Sequence, residues 1–271
     1  MKLINEDWVN LHVKHRISNG HKKTFGHVLV IAGSDGKAGA AILCSKAALH
    51  SGCGMVTAMI PTIAVTILLE QCPEMMYITS TSVKEVDLTN FDAVVIGPGL
   101  GFSKTAKENL LQVLQHFKGP VIIDADGLTL LSNEKHLLKH NHILTPHPGE
   151  FAKIIGTVYD ENNRAVQVKQ FIQIFEGVMV LKGAGTLVAQ VNHELMQNTT
   201  GNDGMATAGT GDVLAGIIAG IAAQGYSNFE AAAIGVYLHG LVGDLAVKEI
   251  SKASLVASDL IRFLGKTRVL D

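Results

Sequence analysis

His27-Val28-Leu29-Val30-Ile31-Ala32-Gly33 is a Val- and Ile-rich apolar run that stops at a glycine. It does not alternate apolar with polar residues, so it reads as a strand buried on both faces, as in a parallel sheet covered by helices. The same pattern recurs in Met55–Pro61, Ala93–Gly99, Val121–Asp124, Ile143–Pro146 and Val178–Gly183, each run closing on Gly, Pro or Asp. Between these runs, 39–53, 103–117 and 160–176 are rich in Ala and Leu at helical spacing. The β-α-β-α alternation predicts a doubly wound α/β sheet.

Beyond Gly211 the chain becomes Ala-, Gly-, Ile- and Leu-rich, with helices expected at 211–224, 229–249 and 254–264. Asp212 and Ser227-Asn228 stand near the first two starts. The spacing Gly216-xxx-Gly220 signals close helix packing rather than a membrane span. No linker-like tract divides the chain, so 1–271 is expected to form a single domain.

With 271 residues, 47% of them hydrophobic, the chain is long enough for a well-buried core. Its 22 Lys+Arg nearly balance 24 Asp+Glu, which argues against nucleic acid or an acidic membrane as partner, so any bound anion must be met locally. The N-terminal Met1-Lys2-Leu3-Ile4-Asn5 does not read as a signal peptide, and no uninterrupted apolar run approaches the ~20 residues that span a bilayer. Cys44, Cys53 and Cys72 show no metal spacing and fit buried free thiols in a reducing, cytoplasmic compartment.

In open α/β sheets ligands bind beyond the carboxyl ends of the strands, which directs attention to the residues closing each run. Gly33-Ser34-Asp35-Gly36-Lys37-Ala38-Gly39-Ala40-Ala41 leads into a helix, and its glycines lack the dinucleotide fingerprint spacing. A plain turn and a phosphate loop both remain open there. His147, held in Thr145-Pro146-His147-Pro148-Gly149-Glu150, is either a backbone cap or a ligand contact. His136, His140 and His142 are expected on a solvated helix or its exit, with no acidic or Cys partner for a metal. Lys182-Gly183-Ala184-Gly185-Thr186 joins two strands and offers a cation, a hydroxyl and free amides to a nucleotide phosphate, without Walker spacing. In Asn202–Gly216, a glycine-rich approach enters a helix where unpaired amides and a positive helix end converge on Asp212. An isolated Asp there would be a cap; the glycine-rich approach Gly209-Thr210-Gly211 adds the amides that a phosphoryl-transfer site needs.

Gly209-Thr210-Gly211-Asp212 resembles the anion hole and catalytic Asp of ribokinase-like enzymes. The wider set is similar to the ADP/ATP-dependent NAD(P)H-hydrate dehydratases. It comprises Asn202–Gly216, Ile96-Gly97-Pro98-Gly99-Leu100-Gly101, Asp124-Ala125-Asp126-Gly127-Leu128, Leu144–Glu150 and Lys182-Gly183-x-x-Thr186, in order from about Gly26 onward. The resemblance implies a ribokinase-like three-layer α/β fold, a central mostly parallel sheet flanked by helices. It implies ADP-dependent dehydration of the S epimer of hydrated NADH or NADPH, with release of AMP and phosphate, through phosphorylation of the ring hydroxyl. ATP serves some members. Carried over by position, Asp212 would orient or deprotonate that hydroxyl, Gly209 and Gly211 would frame the anion hole, and Ala40, Ala41, Gly99 and His147 would contact the hydrate. Lys182, Gly183, Ala184, Gly185, Thr186 and Gly211 would hold the adenine nucleotide, and Mg2+ is expected with the phosphates, without assigned ligands. The partners implied are small nucleotides, and a homo-oligomer, as a tetramer, is expected.

Many relatives carry a fused epimerase domain; with 25 residues before Gly26, a stand-alone dehydratase is expected. Asp203 and Ala208 fall at variable motif positions. The rivals are a vitamin-precursor kinase of the same superfamily, which would share the base and anion hole, and a non-catalytic nucleotide sensor.

Overall fold

A computed structural model describes residues Met1–Asp271. One sheet holds ten strands: β1 (Lys2–Ile4), β2 (His27–Ile31), β3 (Met55–Met59), β4 (Met76–Ile78), β5 (Ala93–Ile96), β6 (Val121–Ile123), β7 (His142–Leu144), β8 (Val178–Leu181), β9 (Leu187–Ala189) and β10 (Met196–Asn198), in the order β1-β10-β9-β8-β7-β6-β5-β2-β3-β4; the six apolar runs are β2, β3, β5, β6, β7 and β8. From β4 to β8 every pairing is parallel, whereas β9 is antiparallel to β8 and to β10. The helices are α1 (Glu6–His12), α2 (Ala38–His50), α3 (Val65–Gln71), α4 (Lys104–His116), α5 (Asp126–Leu131), α6 (Pro148–Ile155), α7 (Arg164–Phe171), α8 (Thr210–Ala222), α9 (Asn228–Ala246) and α10 (Ala257–Leu264).

Two cores lie on opposite faces of the sheet. Val28, Val30 and Val95 join α2, α8, α9 and α10 in one, while Leu29, Ile31 and Val94 join α4, α6 and α7 in the other. The period-two alternation of a strand is therefore present, but both of its faces are apolar. This is the three-layer arrangement expected. The stripe Gly216 and Gly220 lies against α2, where a Cβ would strike the Cys44 and Ala48 carbonyls. All three cysteines are free and buried.

Some details depart from expectation. β1, β4 and β10 have three residues each, too short to show a period, and two of the three β4 residues are exposed. The expected helix over 160–176 shortens to α7, preceded by a 3-10 turn at Glu161–Asn163. His142 is not on a solvated helix: it lies in β7 with no exposure, and burial, aided by Lys139 and His140, pushes its imidazole down to about 4. One helix, α9, is long and apolar enough to cross a membrane, yet 72% of the span concerned is buried inside the protein.

β2 is the strand from which the chain runs to β3 on one side and returns through β5 on the other, so its carboxyl end is the topological switch point. Gly33 N–H donates to Pro98 O (2.9 Å) and Ser34 Oγ to Gly99 O (2.8 Å), which ties the first two loops together across it. α8 packs against α2, β5 and β6, and its N-terminal turn lies beside the residues that close β6 and β8.

Candidate active site

Gly209 starts α8 in the left-handed region (φ 88°), a conformation glycine adopts without strain. A Cβ there would stand 2.6 Å from Leu43 Cδ1 of α2. Thr210 Oγ1 donates back to the Met205 and Thr207 carbonyls (3.1 and 3.0 Å), locking the approach. Val213 N–H makes the first helical bond, to Gly209 O, and the amides of Gly209, Thr210, Gly211 and Asp212 have no acceptor in the protein. That leaves four donors at a helix N-terminus for an anion.

Asp212 is the third residue of α8, and its carboxylate enters no hydrogen bond, so it is not a helix cap. Burial and the nearby Asp124 push it up to about 7 against the opposing pull of Lys182, with Asp126 adding to the rise. A carboxylate tuned to that range is a usable base near neutrality.

Around it stand the residues that close the central strands. Asp124, after β6, is 1% exposed; its Oδ1 accepts from Lys182 Nζ (2.7 Å) and Thr145 Oγ1 (2.9 Å), and its Oδ2 is buried without a partner. Lys182, after β8, also lies 3.9 Å from Glu150 Oε2. Burial opposes its charge, but Asp124 and Glu150 outweigh that and hold the ammonium above its usual value. A Cβ on Gly211 would lie 3.3 Å from Lys182 Nζ and 3.8 Å from Asp124 Oδ2, so the cation, the orphan oxygen and the anion hole share one spot.

His147 caps α6: Nδ1 accepts from Gly149 N–H (3.0 Å) and Glu150 N–H (3.4 Å), while Glu150 Oε2 accepts from His147 N–H (2.8 Å). The cap occupies Nδ1 and leaves Nε2, 3.4 Å from Glu150 Oε1, in a cleft. Both readings of this histidine are therefore compatible. That cleft, of about 420 Å³, contains Asp124, His147, Glu150, Lys182, Gly209, Gly211 and Asp212. A second cavity of about 520 Å³ is lined by Lys182–Thr186, Asn198, Asn202, Met205, Leu214 and His239 among others. Lys182, Gly183, Thr210 and Gly211 line both.

Gly99, Ala40 and Ala41 sit to one side of the cleft rather than in its lining. A Cβ on Gly99 would touch Lys37 and Ala40 at about 3.0 Å, and Ala41, fully buried, packs beneath Gly33. Asp126 links this corner to the cleft, accepting from Lys37 Nζ and Gly101 N–H at 2.9 Å each. Gly209, Gly211 and Lys182–Thr186 thus meet at the two cavities, while Gly99 and Ala40 lie beside them and Ala41 contributes by packing.

Residues of α9 escaped the sequence reading. His239 Nε2 lies 2.9 Å from Thr210 O, which it meets as a donor, and burial brings its imidazole down to about 4, so it is neutral beneath the anion hole. Asp244 accepts from Gly201 N–H (2.8 Å) and Asn202 Nδ2 (2.9 Å), fixing the loop that lines the larger cavity. The available signal was a His and an Asp, five apart, in a helix that is apolar from its second turn onward apart from these two.

The family profile described as NAD(P)H-hydrate dehydratase matches residues 28–265. The chain belongs to the NAD(P)H-hydrate dehydratase family. It is 40% identical to the ADP-dependent (S)-NAD(P)H-hydrate dehydratase of Neisseria meningitidis, over 91% of this chain and 86% of that protein. With the bifunctional NAD(P)H-hydrate repair enzyme of Moorella thermoacetica it shares 36% identity over 97% of its own length, but spans only 53% of that relative. The solved ADP/ATP-dependent NAD(P)H-hydrate dehydratase of Bacillus subtilis, co-crystallized with ATP/Mg2+, superposes with a TM-score of 0.88 at 31% identity, covering 98% of this chain and 96% of that one. The Thermotoga maritima ribokinase (TM-score 0.56) and the Pyrococcus horikoshii hydroxyethylthiazole kinase (0.64), both 14% identical, share the ribokinase-like fold. They cover 89% and 91% of this chain, and 99% and 90% of their own lengths.

Proposed function

We propose that this chain dehydrates the S epimer of hydrated NADH or NADPH, using ADP and releasing AMP and phosphate. The observation that carries the reading is the junction of two cavities at Lys182-Gly183 and Thr210-Gly211, with Asp212 on the side away from the larger one. Such a junction suits a nucleotide in the larger cavity, its terminal phosphate on the free amides of Gly209–Asp212, and an acceptor hydroxyl in the smaller one beside Asp212. Asp212 would take the hydroxyl proton as the oxygen attacks phosphorus, and the amides would meet the charge that develops. The transferred phosphate then leaves with the former hydroxyl oxygen as its C–O bond breaks, the adjacent ring carbon loses a proton, and the dihydronicotinamide is restored.

In this reading Lys182, Gly183, Ala184, Gly185, Thr186 and Gly211 hold the nucleotide. His147 and Gly99 contact the hydrate, with Ala40 beside Gly99 and Ala41 packed behind. Magnesium would sit mainly on the phosphates, since no three His, Cys, Asp or Glu side chains gather into a site of their own. The orphaned, buried Asp124 Oδ2, with Glu150 nearby, is the donor set that fits such a hard cation, which would neutralise phosphate charge. We also assign the chain a single domain over 1–271, a cytoplasmic setting consistent with its free buried thiols, and a homo-oligomer, as a tetramer. Exposed Ile63, Ile67, Met76 and Tyr77 on α3, β4 and the turn before α3 support the last of these.

Purified protein with ADP and Mg2+ should convert hydrated NADH into a species absorbing like NADH. No recovery with either ADP or ATP would overturn the assignment; phosphorylation of a hydroxyethylthiazole in its place would favour the kinase.

A further inference from the structure

The turn Lys182–Thr186 has its polar atoms sorted by kind. Gly183 O accepts from Thr186 Oγ1 (3.0 Å), and Thr186 O from Asn198 N–H (2.9 Å). The two carbonyls between them, Ala184 O and Gly185 O, both accept from the Arg164 guanidinium, from Nη1 at 2.9 Å and Nη2 at 3.2 Å. The N–H groups of Gly183, Ala184, Gly185 and Thr186 find no acceptor in the protein. From Gly183 to Thr186 every carbonyl is occupied and every amide is free, while Lys182 N–H is spent on Pro146 O (2.9 Å). A turn in that state is a concavity of donors, because the lone pairs that would repel an anion are already engaged.

Arg164 achieves this from outside the cavity. It opens α7, its side chain is 17% exposed, and Glu161 Oε1 lies 3.4 Å from the same Nη1 that reaches Ala184 O. Gly183 (φ 152°) and Gly185 (φ 61°) give the turn a backbone open to many conformations, so ordering it in one of them requires an outside contact.

We infer that Arg164 is a positioning residue for the phosphate chain of a nucleoside diphosphate: by holding the Ala184 and Gly185 carbonyls it keeps the amides of Gly183–Thr186 presented to the larger cavity. This rests on the reading that an adenine nucleotide occupies that cavity. The role belongs to the planar fork of arginine, since a lysine ammonium is a point charge that lacks the two-pronged geometry. Arg164 acts on the phosphates and leaves recognition of the nucleoside untouched.

The test is calorimetric titration of wild type, Arg164→Met and Arg164→Lys with ADP and, separately, with adenosine, Mg2+ being present throughout. ADP affinity should fall about tenfold or more in Arg164→Met, the scale of a charge-assisted bond network lost. Arg164→Lys should recover only a minor part of the loss, and adenosine affinity should stay within about twofold in both variants. An unchanged ADP affinity, or equal losses for ADP and adenosine, overturns the inference. Wild-type protein that binds no ADP overturns the nucleotide reading and the inference together, so the two failures are distinct. If Arg164→Met does not fold, Arg164→Lys decides the matter with the same selective loss for ADP.

Discussion

Replacing Asp212 with Asn should raise stability while removing activity. The carboxylate is pushed up to about 7 from its ordinary 3.8, mainly by burial and by Asp124. A group that binds its proton more tightly when folded penalises the folded state once the proton is gone. The penalty is absent below the unfolded value, grows as pH rises between the two values, and is complete above the folded one. At 1.36 kcal/mol per pH unit it reaches at most about 4 kcal/mol at pH 8 and under about 2 kcal/mol at pH 5. Solvent in the open cleft screens part of it, leaving about 2–4 kcal/mol at pH 8. Asn keeps the shape and carries no such penalty. Urea unfolding of both proteins without nucleotide, at pH 5 and pH 8, measures the difference, and the variant should gain more at pH 8. Turnover should fall at least ~100-fold, as for loss of a general base. An equal gain at both pH values, or a loss of stability at pH 8, would show that the carboxylate is not electrostatically strained.

Two glycines of the anion hole should part ways. Gly211→Ala places a methyl in a helical position where Ala is favoured by up to about 1 kcal/mol, so stability should hold while turnover drops, because the methyl would stand 3.3 Å from Lys182 Nζ. Gly209→Ala should cost about 1–3 kcal/mol, since φ 88° and the Leu43 contact both oppose a Cβ. Thermal melts and steady-state rates on the pair distinguish these outcomes, and equal melting points would contradict them. Lys182→Met leaves the Asp124 carboxylate buried with one of its partners removed and should destabilise the protein by about 3–5 kcal/mol at pH 8 by urea unfolding. A loss under about 1 kcal/mol would mean that the pair is not structural.

The central sheet was legible because buried parallel strands are continuously apolar and end abruptly, as His27–Gly33 does. The glycines before Asp212 were legible for a similar reason: a backbone that must expose amides at a helix start excludes Cβ atoms. β1, β4 and β10 were not, since each holds at most one β-branched residue and no abrupt closing Gly, Pro or Asp, and His142 was misplaced because one histidine in a β-run looks like one at a loop exit. Asp124 and Glu150 stood in the quoted motifs, yet their pairing with Lys182 across 58 and 32 residues left no local mark.

Local chemistry along the chain decided the strands, the helix starts and the candidate anion hole, because propensity, capping and glycine conformation act over a few residues. Only the tertiary structure decided what Asp212 is. An aspartate three residues into a helix is a solvated charge unless something buries it, and here Asp124, Lys182 and the sheet edge do so. The same holds for Arg164, whose guanidinium reaches the Ala184 and Gly185 carbonyls only because α7 packs beside β9. Burial and charge pairing depend on which distant segments meet, and that is a property of the fold.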